Sequence, residues 1–174
     1  MKLTSLLAAA MALVCLGASA QTYPTKPVRF IIPYPPSGIA DQFARALADE
    51  LTAKLGQTVV PENKPGGSLI IGTEAAAKSA PDGYTILLGS ISSLAINVGA
   101  FKKLPYDPVK DFRPVSGLMR SQIALAVPAS SSMRSVEDLV AAARTGKSLN
   151  IGTQAAGFHI ILEWFNSLAG LKPV

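Results

Sequence analysis

The sequence predicts an α/β fold built on a parallel sheet, and three observations support this prediction. Short runs rich in β-branched residues alternate with longer amphipathic segments along the chain. Most of these short runs are continuously apolar, which is typical of strands covered on both faces. Hydrophobic residues make up 49% of the 174 residues and charged residues only 16%, which excludes a highly charged, disordered protein.

The first unit reads as a strand, a tight loop and a helix. Residues 28–32 form a β-rich run that ends in a proline- and glycine-containing stretch, residues 33–38. Over residues 40–55 the apolar side chains recur at steps of three and four, and Gly56 follows where a helix is expected to end. This pattern predicts an amphipathic helix that covers the sheet.

The same alternation continues through the rest of the chain. Residues 103–108 contain two prolines, which exclude a helix there, and we interpret them as a connector between two lobes. Trp164 and Phe165 lie at helical spacing from the preceding isoleucines, which favours core packing. The remaining predicted elements are strands at 58–61, 84–88 (buried), 112–118, 123–127 and 149–153, a turn at 81–83, and helices at 72–80, 135–144 (begun by Ser135) and 158–168.

The first 20 residues have the pattern of a secretory signal. Lys2 precedes an apolar stretch, residues 3–16, and a small-residue cleavage site ends at Ala20. The only cysteine, Cys15, lies inside this segment, so we expect neither a disulfide nor a thiolate metal site in the mature chain. A lipid anchor at Cys15 is disfavoured because the preceding Val14 is not small. The net charge of +5 comes from scattered basic residues, which does not favour nucleic-acid binding.

Ligands of open α/β sheets bind beyond the carboxyl ends of the strands, where amides at helix starts point outward. The first such end carries the candidate residues Tyr34, Pro36, Ser37, Gly38 and Asp41. Prolines donate no hydrogen bond, so free amides are expected from Ser37 to residue 40, and they would form a small anion nest. An ordinary strand-to-helix turn, with Asp41 interacting with the helix dipole, explains this segment at least as well by itself.

The second end carries Gly89, Ser90, Ser92 and Ser93, with Asn97 nearby. Small hydroxyl residues at a strand end either hydrogen-bond a carboxylate or cap the next helix, and the sequence leaves both interpretations open.

The third end carries Thr153 and Gln154 and leads to His159, the only histidine. A lone histidine near the start of a helix is more often a packed or capping residue than a catalyst. No triad order, metal-ligand spacing or phosphate-binding motif surrounds it. We therefore predict no catalytic residue, no metal site and no cofactor.

Several motifs, in this order, resemble the Bug (TctC-like) family of periplasmic substrate-binding proteins of tripartite tricarboxylate transporters. The resemblance covers nearly the whole mature chain. Its motifs are Tyr-Pro-Thr-Lys-Pro at 23–27, Pro-Tyr-Pro-Pro-Ser-Gly at 33–38 with Asp41, Glu-Asn-Lys-Pro-Gly-Gly at 62–67, Ala-Pro-Asp-Gly-Tyr-Thr at 80–85, Asn97, and Lys-Leu-Pro-Tyr-Asp-Pro-Val-Lys-Asp-Phe at 103–112.

The resemblance implies a periplasmic binding protein of type II-like, Venus-flytrap architecture that closes over a small organic acid. Together with the signal pattern and the connector, it divides the chain into a signal peptide at 1–20, a first α/β lobe at 21–118 and a truncated second lobe at 119–174. The expected partners are a carboxylate ligand and the membrane subunits of the transporter, and no nucleic acid is expected. We expect a periplasmic protein that is not an enzyme and that is a monomer when complete. Carboxylate-holding loops of the family match residues 34–41 and 89–93.

Three departures from the family pattern bear on these expectations. Ser37 and Ile39 flank Gly38 where the family usually has consecutive glycines, and a β-branched Ile39 cannot easily adopt a left-handed conformation. Residues 154–158 lack the hydroxyls of the family's run before the histidine. Family members are also considerably longer, so we expect a fragment.

Three alternative functions remain open. The protein could be a ligand-responsive sensor subunit, a periplasmic enzyme using Asp41 or His159, or a nonfunctional truncated copy.

Overall fold

The computed structural model describes residues 23–120, 122–145, 149–153 and 156–171. The signal segment expected at 1–20 lies outside these residues. In the described part, no helix combines the length and apolar character needed to span a membrane. The strands are β1 (Val28–Ile32), β2 (Val59–Asn63) and β3 (Thr85–Leu87), and the α-helices are α1 (Ile39–Leu55), α2 (Ile70–Ala77), α3 (Asn97–Ala100), α4 (Val136–Arg144) and α5 (Ala156–Ala169). A 3-10 turn (Gly67–Leu69) precedes α2, and a π-helical turn (Ser92–Ile96) precedes α3.

The three strands form one parallel sheet with the order β2-β1-β3. In the register, Ile31 of β1 lies opposite Glu62 of β2 on one side and opposite Leu87 of β3 on the other. The pairing extends just past the strands, because the amide of Leu88 donates to the carbonyl of Ile31 at 2.9 Å. The predicted parallel α/β arrangement is therefore confirmed.

The core forms around β1, the central strand. Val28, Phe30 and Ile32 point to one face and pack with Ala44 and Ala48 of α1. Ile31 points to the other face and is also fully buried. Burying each of these large side chains contributes about 1.5–3 kcal/mol, so β1 anchors the sheet against its helices.

Helix α1 ends at the predicted residue and begins one residue earlier than predicted, at Ile39. Gly38 is its N-cap residue, and Gly56 adopts a left-handed conformation with φ of 68° while its amide closes the last turn on the carbonyl of Thr52 at 3.1 Å. Helix α4 also begins as predicted. The Ser135 hydroxyl accepts a hydrogen bond from the amide of Asp138, and the Asp138 carboxylate accepts one from the amide of Ser135.

Other elements depart from their predictions. Strand β2 extends two residues further than expected, α2 begins two residues earlier, and β3 is an edge strand whose residues are only half-buried rather than buried. Trp164 was expected in the core but is 66% exposed on α5. Ile160 and Leu168, one turn before and after Trp164, are also exposed, so the apolar face that they share is not part of the core of the described residues.

The strands predicted at 112–118, 123–127 and 149–153 are wrong for the described residues, which are not in strands there. A strand is stabilised by hydrogen bonds to a neighbouring strand, and these segments have none within the described part. They stay irregular and expose apolar side chains, with Val115 at 91%. The division into lobes at residue 118 stays a prediction.

Candidate functional site

The strand order places a topological switch point at the carboxyl ends of β1 and β3. Strand β2 pairs with one edge of β1, and the chain then crosses over so that β3 pairs with the other edge of β1. The loops that leave β1 and β3 therefore diverge, and ligands of open α/β folds bind at such switch points. We call residues 33–38 the first loop and residues 89–93 the serine loop.

Asp41, in the first turn of α1, stabilises the first loop through hydrogen bonds. The residue is 3% exposed, and its carboxylate accepts hydrogen bonds from the Ser37 amide at 2.9 Å, from Arg45 Nε at 3.1 Å and from Asn63 Nδ2 at 2.8 Å. Asn63 Nδ2 also donates to the carbonyl of Tyr34 at 3.1 Å. The network fixes the loop between β1 and α1 to the end of β2.

The network also determines the charge of Asp41. Hydrogen bonds from Arg45, from the Ser37 amide and from Asn63 lower the pKa of the Asp41 carboxyl from 3.8 to about 2. Asp41 is thus ionised at neutral pH, and Arg45 offsets its negative charge at 3.0 Å. An anion near the start of α1 would otherwise be repelled by this carboxylate.

The free amides of the first loop begin one residue later than predicted. The Ser37 amide is engaged by Asp41, whereas no hydrogen bond among the described residues reaches the amides of Gly38, Ile39 and Ala40. Ser37 supplies the left-handed turn with φ of 70°, so the conformational difficulty expected at Ile39 does not arise. Three consecutive donors at the positive end of a 17-residue helix can bind an anion.

The serine loop offers a second set of amides. Ser93 is buried, and its hydroxyl accepts a hydrogen bond from the Ser90 amide at 3.1 Å and donates one to the Ser90 carbonyl at 3.2 Å. In the described part, no hydrogen bond reaches the amides of Gly89, Ile91 or Ser92. The Ser93 hydroxyl therefore shapes the loop, and the main chain presents the donors.

Two contacts hold the serine loop in place, and a third fixes Asn97, the first residue of the helix that follows it. Asn97 Nδ2 donates to the carbonyl of Ser68 at 2.9 Å, while the buried Asn97 Oδ1 has no partner among the described residues. The Tyr106 hydroxyl donates to the carbonyl of Ser93 at 2.6 Å. Helix α5 packs close by, because a Cβ on Gly157 would lie 2.5 Å from Ser92 Oγ.

The side chains of the remaining candidate residues take no part in the hydrogen bonds described above. Tyr34 is half-buried against the core, and Pro36 is exposed beside it. Thr153 and His159 are exposed before and on α5, and Gln154 lies outside the described residues. Four residues of the site were not predicted as site residues from the sequence: Arg45, Asn63, Tyr106 and Gly157. The spacing of Asp41 and Arg45 by four helical residues could have indicated their pairing, whereas the other contacts join distant parts of the chain.

The sequence matches the family described as tripartite tricarboxylate transporter family receptor, TctC, over residues 43–174. It is 39% identical to protein BugT of Bordetella pertussis over 182 aligned residues, which cover 98% of this chain and 55% of that protein. A second relative, a UPF0065 protein of Bordetella bronchiseptica, is 36% identical, with 94% and 49% covered. The chain spans about half the length of these curated relatives.

Solved structures agree with this match. The R. palustris protein Rpa4515 with adipate is 32% identical, with a TM-score of 0.77 over 86% of this chain and 51% of that one. MatC from Rhodopseudomonas palustris with bound malate is 25% identical, with a TM-score of 0.73 over 87% and 53%. The periplasmic binding protein BugD superposes with a TM-score of 0.68 at 28% identity, over 87% and 52%. The fold is that of the periplasmic binding proteins of this type, and the chain belongs to the TctC family of tripartite tricarboxylate transporter receptors.

Proposed function

We propose that this protein captures a small carboxylate-containing organic acid in the periplasm and delivers it to the membrane subunits of a tripartite tricarboxylate transporter. The observation that carries the proposal is the pair of free amide sets, at Gly38 to Ala40 and in the serine loop, which leave neighbouring strands at the switch point. Main-chain amides and a helix start bind a carboxylate without a fixed cation, which allows release to a transporter.

The relatives support a carboxylate ligand. Two structural neighbours are described with adipate and with malate, both of which are dicarboxylates. In this chain the candidate ligand-binding residues remain those of the first loop, the serine loop with Asn97, and Thr153, Gln154 and His159. Binding without chemical change is expected, and the same titration followed by NMR would reveal any turnover of the acid.

Ile39 offers a direct test of the amide donors. Ile39 is the first residue of α1, where proline is well tolerated, and Gly38 before it is extended, with φ of −76° and ψ of 168°. Ile39→Pro therefore removes one amide donor without straining the backbone. Ile39→Ala is the matched control, because it shortens the same side chain, which is 77% exposed, and keeps the amide.

Calorimetric titration with adipate, malate, tricarboxylates, aromatic acids and acidic amino acids provides the measurement. We expect Ile39→Pro to weaken binding of the active ligand about tenfold or more, the loss of one hydrogen bond to a charged group, while its melting temperature stays close to that of the parent chain. Ile39→Ala should bind like the parent. Equal affinities in all three proteins, or no binding across the panel, would refute the proposal.

We also propose that the 174 residues are part of a longer polypeptide. The support is the exposed apolar surface of residues 112–127, together with the relatives' roughly twofold greater length. Reading the nucleotide sequence that follows the last codon tests this directly. An in-frame continuation that matches the remaining half of the relatives is expected, and an immediate stop codon would contradict it.

A further inference from the structure

Tyr106 joins the connector, residues 103–108, to the serine loop. The residue is 6% exposed, and its hydroxyl lies 2.6 Å from the carbonyl oxygen of Ser93. Its ring packs edge-on against Phe112, with centroids 6.1 Å apart and planes at 81°. Both the ring and the hydroxyl of Tyr106 are therefore held in defined positions.

Ser93 connects Tyr106 to the start of the serine loop through hydrogen bonds. Its carbonyl accepts the hydrogen bond from Tyr106, and its hydroxyl binds both the amide and the carbonyl of Ser90. The free amides of Ile91 and Ser92 lie between these two fixed points. A displacement of the Tyr106 hydroxyl would consequently change the direction in which these two amides point.

The connector also leads to the later part of the chain. All residues from 113 onward, including α4 and α5, follow it, and α5 returns to contact the serine loop where Gly157 meets Ser92. A movement of this later part relative to the sheet acts on the serine loop through two routes, the Gly157 contact and the Tyr106 hydrogen bond.

We propose that Tyr106 is a positioning residue of the anion site. Through Ser93 it holds the serine-loop amides in their binding orientation and couples that orientation to the connector. The inference rests on the proposed function for its ligand, and the coupling itself can be measured without a ligand.

The test compares two variants that each remove one tyrosine hydroxyl from the full chain. Tyr106→Phe loses the bond to Ser93 and keeps the ring against Phe112. Tyr23→Phe is the control, since the Tyr23 hydroxyl donates to the carbonyl of Gly83 at 2.7 Å, in the turn that precedes β3, whereas the serine loop follows the other end of that strand. Each variant loses one hydroxyl-to-carbonyl bond, but Tyr23 is 52% exposed and Tyr106 is buried, so Tyr106→Phe should melt lower than Tyr23→Phe.

The first readout is hydrogen exchange followed by mass spectrometry. In Tyr106→Phe we expect exchange of the two hydrogen-bonded amides of the serine loop, those of Ser90 and Ser93, to rise about tenfold while β1 and α1 stay unchanged, as expected for the loss of one local hydrogen bond. Tyr23→Phe should leave residues 89–93 unchanged. Unchanged exchange there in Tyr106→Phe, or a uniform rise across the sheet, would overturn the inference.

The second readout is adipate affinity by calorimetry. Tyr106→Phe should weaken adipate binding about tenfold, and Tyr23→Phe should bind like the parent. Equal affinity of Tyr106→Phe and the parent would overturn the inference. If the parent does not bind adipate, the proposed function loses support while the exchange result still decides the role of Tyr106.

Ser93→Ala tests the same coupling from its other end, and it serves if Tyr106→Phe does not fold. This variant keeps the Tyr106 hydrogen bond to the main chain and removes the hydroxyl that holds Ser90. Exchange of the Ser90 amide, whose hydrogen bond the Ser93 hydroxyl accepts, should again rise about tenfold, with β1 unaffected. An unchanged exchange rate would show that Ser93 does not transmit the constraint.

Discussion

Asp41 is the charged residue that fixes the first loop, and its depressed pKa makes its contribution dependent on pH. The carboxyl has a pKa of about 2 in the folded protein and its ordinary value of 3.8 when unfolded, so the folded state binds this proton less tightly. Its stabilisation is therefore complete above the unfolded value and is lost as the pH falls through about 2. We expect Asp41→Asn to be less stable than the parent at pH 7, with a difference that shrinks between about pH 5 and 2.

Urea unfolding at several pH values measures this difference. Asp49→Asn, an exposed carboxylate on the same helix, serves as the control and should follow the parent at every pH. Other carboxyls with lowered pKa values, Asp82 and Asp107 among them, also contribute to acid unfolding of the parent, but they contribute equally to both variants. A difference between Asp41→Asn and the parent that does not change with pH would contradict the role given to Asp41.

Helix α5 contacts the serine loop through Gly157, where the absence of a side chain permits the close packing. Gly157→Ala would place a methyl group 2.5 Å from Ser92 Oγ and 3.2 Å from Ile96 Cδ1. Alanine normally stabilises a helix relative to glycine by roughly 0.5–1 kcal/mol, but overpacking costs about 1–3 kcal/mol. We therefore expect a net loss in the free energy of unfolding, measured by urea denaturation.

Gly99→Ala is the matched control for this substitution. Gly99 also lies in a helix, and a Cβ added there meets no atom within 4 Å. It should be neutral or slightly stabilising. If Gly157→Ala stabilised the chain as much as Gly99→Ala, the close packing of α5 on the serine loop would be refuted.

Exposed apolar side chains in residues 112–127 govern the behaviour of the whole molecule in solution. Val115, Ile123 and Leu125 are exposed by more than half, and Arg120 is the only charged residue between 114 and 127. Unpaired apolar segments with little charge promote association between chains. We expect the purified chain to associate with increasing concentration, as measured by sedimentation velocity.

A charge placed within this segment should reduce the association. Val115→Lys introduces it at a residue that is 91% exposed, and Val109→Lys is the control, because Val109 is 84% exposed but precedes the segment. The first variant should shift the distribution toward the monomer, and the second should not. A monodisperse parent chain with a sharp, cooperative melt would contradict the prediction.

Several elements of this protein follow from local patterns in its sequence. The apolar run of β1, the periodicity and terminal glycine of α1, and Ser135 at the start of α4 all specify their elements through neighbouring residues, and the motifs indicated the family. The tertiary structure was needed to establish the strand order and the partners of Asp41, because Asn63 contacts Asp41 from 22 residues away in the chain. It also decided that residues 112–127 form no strand in the described part, since a strand requires a hydrogen-bonded neighbour that local sequence does not reveal.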